Sequence, residues 1–423
     1  MLNERSLSAI EKSVFSVKFR KPLYDSYCFS RVPATVELLL TGEASSPLPL
    51  DTIGEKVTYD VVVLFFIDGF GWEFFEKYAS QYPFLSRFLQ EGIASKMTSQ
   101  FPSTTAAHVT TMNTALEVGQ TGVYEWFYYE PLVDRMITPL LYSYAGDHKA
   151  DTLSVSGVAP EKLYPTQTLY QAFQKKGIQS YVMQHEGIAH SSYSNVMFSG
   201  AHNVPYRSLK EGLANVINLC QAKKNEPTYI YFYFGDIDAA GHRHGIDSLH
   251  FIEAVDACWK TLEEHYWQKM GSIHKKIASI VIADHGMAPV DPKKTFYLNR
   301  VFPDIAETFV TNKEGRPLVP AGSCRDFFLH IKPECLDSVL AQTQKEFEGI
   351  AEVYKTKKLI KEGFFGRESV SEKLLKRIGN LVILPYYEQS IWWYEKHHFE
   401  QHFYAAHGGL TPQEMESIFL FLG

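Results

Sequence analysis

The run YDVVVLFFIDGFG, residues 59–71, decides the class of fold. Seven consecutive apolar residues, 61–67, leave no polar face, so a strand built from them is buried on both sides, as in the interior of a parallel sheet. The run stops at Asp68-Gly69, a turn signal that delivers a carboxylate to the strand's end. Comparable strand signals recur at IQSYVM (178–183), TYIYFYF (228–234), IASIVIA (277–283), RDFFLHI (325–331) and NLVIL (380–384). Helical patterns over 72–91, 207–223, 246–268 and 334–348 fall between them. Apolar strands alternating with helices predict a doubly wound, mostly parallel α/β sheet. Between 290 and 400, Pro, Gly and charged residues interrupt the alternation, which predicts a smaller inserted α/β cap. The catalytic core would then comprise 56–289 and 401–423, with 1–55 an N-terminal extension of open role.

A chain of 423 residues is long enough for a sizeable core and longer than one hydrophobic core usually serves. Hydrophobic residues at 45% and charged residues at 21% exclude a disordered chain. No run of about 18 apolar residues reads as a membrane span. A net charge of -7 argues against a nucleic-acid polymer as partner, because such binding depends on Lys and Arg neutralising phosphates. A small phosphoester remains open, since a bound metal supplies positive charge locally. The N-terminal MLNERSLSAIEKSVFSVKFRKPLYD lacks the apolar core of a secretory signal, so the expected location is the cytoplasm. Five scattered cysteines without a CxxC pair predict inert thiols rather than disulfides or a thiolate metal site. Oligomeric state is not legible.

Three strand ends carry metal-ligand chemistry: Asp68 after the first, Asp236 and Asp238 in GDIDAAGHRHG (235–245), and Asp284 with His285 in ADHGM. In an open α/β sheet, ligands bind in the crevice outside the carboxyl ends of the strands, so these groups should converge. One strand-terminal Asp before Gly is often only a turn or cap. Three, two of them with histidine nearby, indicate a centre of carboxylates and imidazoles, a donor set that suits zinc. Asp238 and His242, four apart, can reach one ion through a short turn, whereas Asp236 and His244 fit an outer or solvated role equally well. His407 in YAAHGGL precedes two glycines that permit close backbone approach. In FPSTTAAHVTTMN (101–113), a helix beginning near Thr104 or Thr105 would place a hydroxyl at a helix N-terminus, where amide donors and the dipole favour phosphate.

This ordered set resembles the alkaline phosphatase superfamily, specifically its type I phosphodiesterase/nucleotide pyrophosphatase branch. The resemblance implies two zinc ions, or other divalent metals. One would be held by Asp238, His242 and His407, the other by Asp68, Asp284 and His285. It also implies Thr105 as nucleophile, three residues after Pro102 as in the family loop, and hydrolysis of phosphodiester or pyrophosphate bonds through a phospho-threonine intermediate. Two departures stand out. The loop reads TTAAH where nucleotide-handling members carry Phe-Pro-Asn-His after the threonine, and Trp126 stands near the place of a phosphate-binding Asn. The resemblance therefore implies the reaction class and a small phosphoester substrate, with a nucleotide as one candidate. Phe70, Tyr124 and Trp126 are candidates for an aromatic platform under an apolar leaving group. Arg325 is a candidate partner for a terminal phosphate, which would favour monoesters. Phosphomonoester or phosphonate hydrolysis is the alternative chemistry, and a zinc-binding pseudoenzyme that recognises phosphorylated partners the alternative without catalysis.

Overall fold

The computed structural model describes residues 1–55, 57–147, 149–222 and 226–423. Lys56, where the core was expected to begin, and Lys223, at the end of the expected 207–223 helix, lie outside the described residues. The strands of the central sheet are, in chain order, β1 (Val61–Ile67), β2 (Ile93–Thr98), β3 (Gln179–Met183), β4 (His202–Asn203), β5 (Thr228–Phe234) and β6 (Ile277–Ile282). Three short strands follow, β7 (Phe327–Leu329), β8 (Ala351–Lys355) and β9 (Leu381–Pro385), and the chain returns to the central sheet as β10 (Glu416–Leu422).

The central sheet has seven strands in the order β2-β10-β6-β1-β5-β3-β4. β10 runs antiparallel to both its neighbours, and every other pairing in this sheet is parallel. The sheet is thus mostly parallel and doubly wound. β1 is buried along its whole length. Its alternate residues serve two layers: Val62, Leu64 and Phe66 enter one apolar cluster, while Val61, Val63, Phe65 and Ile67 enter another. This is the period-2 consequence of the pleat. Each such side chain, taken out of water, contributes about 1.5–3 kcal/mol.

Strands β7, β8 and β9 form a separate antiparallel sheet in the order β7-β9-β8. A third apolar cluster, including Phe327, Leu329, Ile383 and Trp392, packs on one face of it, while Phe328, Val382 and Leu384 join the first cluster. The helical pattern over 72–91 is two helices, Trp72–Tyr78 and Pro83–Gln90. Pro83 has no amide to continue the first helix but sits well at the start of the second.

Residues 1–55 pack onto the sheet. Helix Val32–Thr41 inserts Val32, Val36 and Leu39 into the first cluster. Leu2 and Cys28 form bridges to Ala94 and Thr98, so the extension hydrogen-bonds along the outer edge of β2. All five cysteines are free, four of them buried. Among the described residues, no helix is long and apolar enough to cross a membrane.

Candidate metal centre

Register sets the first half of the site. Phe66 of β1 pairs with Ile282 of β6, so Asp68 and Asp284, each two residues further on, leave the sheet at the same level. The His285 Nε2 lies 3.1 Å from Asp284 Oδ2 and 3.5 Å from Asp68 Oδ1. The Thr105 hydroxyl completes the group, 3.3 and 3.4 Å from the Asp68 oxygens and 3.2 Å from His285 Nε2. Thr105 opens the helix Thr105–Thr114, and the preceding Thr104, in extended conformation, makes no side-chain cap, so the Thr105 hydroxyl stands among free backbone donors.

The second half comes from a helix and a loop. Asp238 and His242 occupy successive turns of the helix Asp236–His244, a full helix where the sequence suggested a short turn. Their side chains approach to 3.3 Å, and His407 Nε2 comes within 3.1 Å of His242 Nε2 and 3.8 Å of Asp238. His285 joins the halves: its ring stacks on His407 at 3.5 Å, and it can share a ligand group with Asp238 and His407 as well as with Asp68 and Asp284. Asp236 and His244 point outward and are exposed, His244 stacking on His250.

Every imidazole is oriented by a backbone carbonyl. The Nδ1 of His242 lies 2.7 Å from Ala405 O, that of His407 2.9 Å from Ser103 O, and that of His285 3.0 Å from Gly286 O. A carbonyl only accepts, so each Nδ1 carries a proton, and in the neutral ring each Nε2 is the atom that presents a lone pair to the centre. His242 and His407 then face each other lone pair to lone pair, a repulsive contact unless a cation lies between. Two ligands of one tetrahedral ion, with bonds of about 2.0–2.1 Å, stand about 3.3 Å apart.

The carboxylates point the same way. Asp238 Oδ1 and Asp284 Oδ2 are buried without a hydrogen-bond donor among the described residues. Among the described residues, no lysine or arginine pairs with Asp68, Asp238 or Asp284. Burial, and then the charges of Asp284 and Asp238, push the Asp68 carboxyl well above the usual carboxylate range. Burial raises Asp238 as well. Burial and the neighbouring His285 and His242 hold His407 in its neutral, ligating form. The donor set fits a pair of divalent cations, whose charge would reverse these penalties.

Three substrate candidates lie elsewhere. Phe70 is fully buried with its ring 4.8 Å from Trp259, because the helix Trp72–Tyr78 folds over it. Tyr124 is fully buried between Tyr128 and Phe328. Arg325 is buried too, its guanidinium forked onto Glu414 at 3.0 and 2.8 Å and bound to carbonyls of Pro385, Tyr386 and Gln389. None of the three can meet a ligand in solution. Trp126 remains 38% exposed.

The residue that sequence reasoning missed is Tyr233, whose hydroxyl donates to Asp68 Oδ2. Its signal was a polar-tipped aromatic one residue before the end of TYIYFYF, a position with no need of a hydroxyl if it were only core. Tyr233 also lines a cavity of about 350 Å³ with His185, Tyr206, Arg207 and Asp236.

The chain matches the family of type I phosphodiesterases / nucleotide pyrophosphatases over residues 62–410. The ectonucleotide pyrophosphatase/phosphodiesterase family member 3 of Rattus norvegicus is 26% identical over 248 residues, 58% of this chain and 27% of the rat protein. Its Mus musculus counterpart is 25% identical over 248 residues. The chain spans about a quarter of the length of these curated relatives. Among solved structures, murine ectonucleotide pyrophosphatase/phosphodiesterase 5, as an inactive threonine-to-alanine variant in complex with AMP, superposes with a TM-score of 0.63 at 18% identity, covering 86% of this chain and 87% of that one. The human protein 5 gives 0.61 at 17% identity, with 86% and 87% covered. A family match that runs from within β1 past His407, carried on a shared fold, places the chain in the type I phosphodiesterase / nucleotide pyrophosphatase family of the alkaline phosphatase superfamily.

Proposed function

We propose that the chain is a metal-dependent hydrolase of small phosphodiesters or pyrophosphates that acts through Thr105. One observation carries the reading: the Thr105 hydroxyl, on the first turn of its helix, lies within 3.2–3.4 Å of both Asp68 and His285. Two zinc ions, the metal best suited to this mixed carboxylate and imidazole set, would supply the Lewis acidity that lowers the hydroxyl's pKa and offsets phosphate charge. The Thr105 oxygen attacks phosphorus in line, the bond to the leaving oxygen breaks, and that oxygen takes up a proton. Free amides at the helix start face the non-bridging oxygens. Water then attacks the phospho-threonine, releasing phosphate product and restoring the hydroxyl.

A nucleotide-like substrate is supported by the AMP bound to the murine protein 5 and by that protein's loss of activity on threonine-to-alanine change. The cavity beside Tyr233 is of a size for a small molecule. Exposed Trp126 offers an apolar face for the leaving group. The monoester alternative loses its anchor, because Arg325 is committed to Glu414. With zinc supplied, initial rates should be higher on an aryl nucleotide diester than on an aryl phosphate monoester. Faster monoester turnover would refute the diester reading, and no turnover on any phosphoester would favour a pseudoenzyme.

A further inference from the structure

Behind the nucleophile lie two acids that the reaction does not use. Glu125 and Asp326 are both almost wholly buried, and they come from segments two hundred residues apart. The bridge between Phe127 and Gly322 sets their segments side by side, and the two carboxyls interact. Glu125 Oε1 and Asp326 Oδ2 nevertheless have no donor among the described residues. Their other oxygens are engaged. Glu125 Oε2 accepts the Trp126 amide, and Asp326 Oδ1 accepts the Ser323 amide at 3.0 Å and hydroxyl at 2.6 Å. No lysine or arginine among the described residues pairs with either acid, and Arg325, next to Asp326 in the chain, is turned away into Glu414. The groups that face the pair are Thr104, Ser323, Tyr124, Cys324 and, further off, His285 and Arg325. Only Arg325 carries a fixed positive charge, and it is committed to Glu414. Two ionised carboxylates so placed would repel each other at low dielectric, which one proton between them relieves.

The pair also joins two parts of the site. Glu125 interacts with the Thr104 side chain, next to Thr105. Ser323, which binds Asp326, has its hydroxyl 3.0 Å from the carbonyl of His407. A side chain on Gly408 would strike Asp326 Oδ1 at 2.6 Å, so the loop is closed directly onto this acid.

We propose that Glu125 and Asp326 share one proton in a buried carboxyl–carboxylate hydrogen bond that positions the Thr104–Thr105 turn against the His407 loop. Both act as positioning residues. Burial, which pushes Glu125 up to about 7 and Asp326 well above the carboxylate range, accords with this. The inference borrows from the proposed function only in its activity readout.

Infrared spectroscopy of the metal-loaded protein near pH 8, where ordinary carboxyls with pKa values of about 4 are ionised, tests it. One protonated-carboxyl carbonyl band is expected, missing from Glu125→Gln and from Asp326→Asn. Glu125→Gln, whose amide replaces the acid proton as donor, should keep kcat within about threefold, while Glu125→Ala should lose about tenfold to a hundredfold through misplacement of Thr105. Absence of the band in the wild-type protein overturns the proposal. So does a third metal ion per chain that both conservative variants lose, since a cation would then occupy the proton's place. If Glu125→Gln does not fold, Asp326→Asn gives the same band test. A band present in an inactive protein upholds the shared proton and counts against the hydrolase reading instead.

Discussion

The two halves of the candidate metal centre are built differently. Asp68, Asp284 and His285 follow buried parallel strands, and their side chains are 0–4% exposed. Asp238, His242 and His407 sit on a short helix and a loop, and are 11–19% exposed. The first half inherits its geometry from strand register and has no freedom to adjust. The second is held by two backbone carbonyls and the packing of a loop, and it is open to solvent. One half is a fixed floor beneath Thr105, the other a partly exposed wall.

The largest effect should come at the floor. Thr105→Ala is expected to keep the parental metal content and lose about 10⁴-fold or more in kcat, since it removes the attacking atom and no imidazole or carboxylate ligand. Parental turnover by the alanine variant would remove Thr105 from the mechanism. His285→Ala should cost at least about 10³-fold and deplete both ions by elemental analysis, because this ring is shared by both groups. Depletion of one ion alone would mean that the halves are independent.

Acid should act next, also from below. His108 is buried and neutral: its Nε2 accepts the Gln100 amide at 2.9 Å, its Nδ1 donates to Thr104 O at 2.7 Å, and burial lowers its pKa to about 4. Between the unfolded value near 6.5 and 4, the unfolded chain binds a proton that the folded chain refuses, so stability falls with pH across this window. The loss should be about 2 kcal/mol, read from chemical denaturation at pH 7 and pH 4.5, and His108→Gln should flatten the slope. An unchanged slope would place the acid sensitivity elsewhere. The smallest effect belongs to the wall. His407→Ala should weaken one ion's binding by about tenfold to a hundredfold, with activity partly restored by excess zinc. Full occupancy of both sites in dilute metal would deny His407 a ligand role.

What the sequence made legible follows the same division. The apolar run before Asp68 could only be a doubly buried strand, and IASIVIADHG repeats its logic, so convergence of Asp68 with Asp284 followed from fold class alone. Asp238 and His242 were legible as a spacing, while the helix that presents them was hidden by Gly241 and by the poor helix formers around it. The facing of side chains was not legible. Arg325 looked like a phosphate anchor because its partner, Glu414, lies 89 residues away. Phe70 looked like a platform because nothing local says that the next helix covers it. Tyr233 read as core because the carboxylate it serves is 165 residues distant. The packing of 1–55 onto the sheet was not readable because its contacts with β2 leave no periodic trace in either stretch.

That pairing has a consequence of its own. With Leu2 and Cys28 bridged to Ala94 and Thr98, the outer edge of β2 is already partly paired, which hinders a neighbouring molecule from adding a strand there. A truncated chain starting after Arg31 would expose a sticky border, and it should cluster in solution even with its catalytic groups untouched.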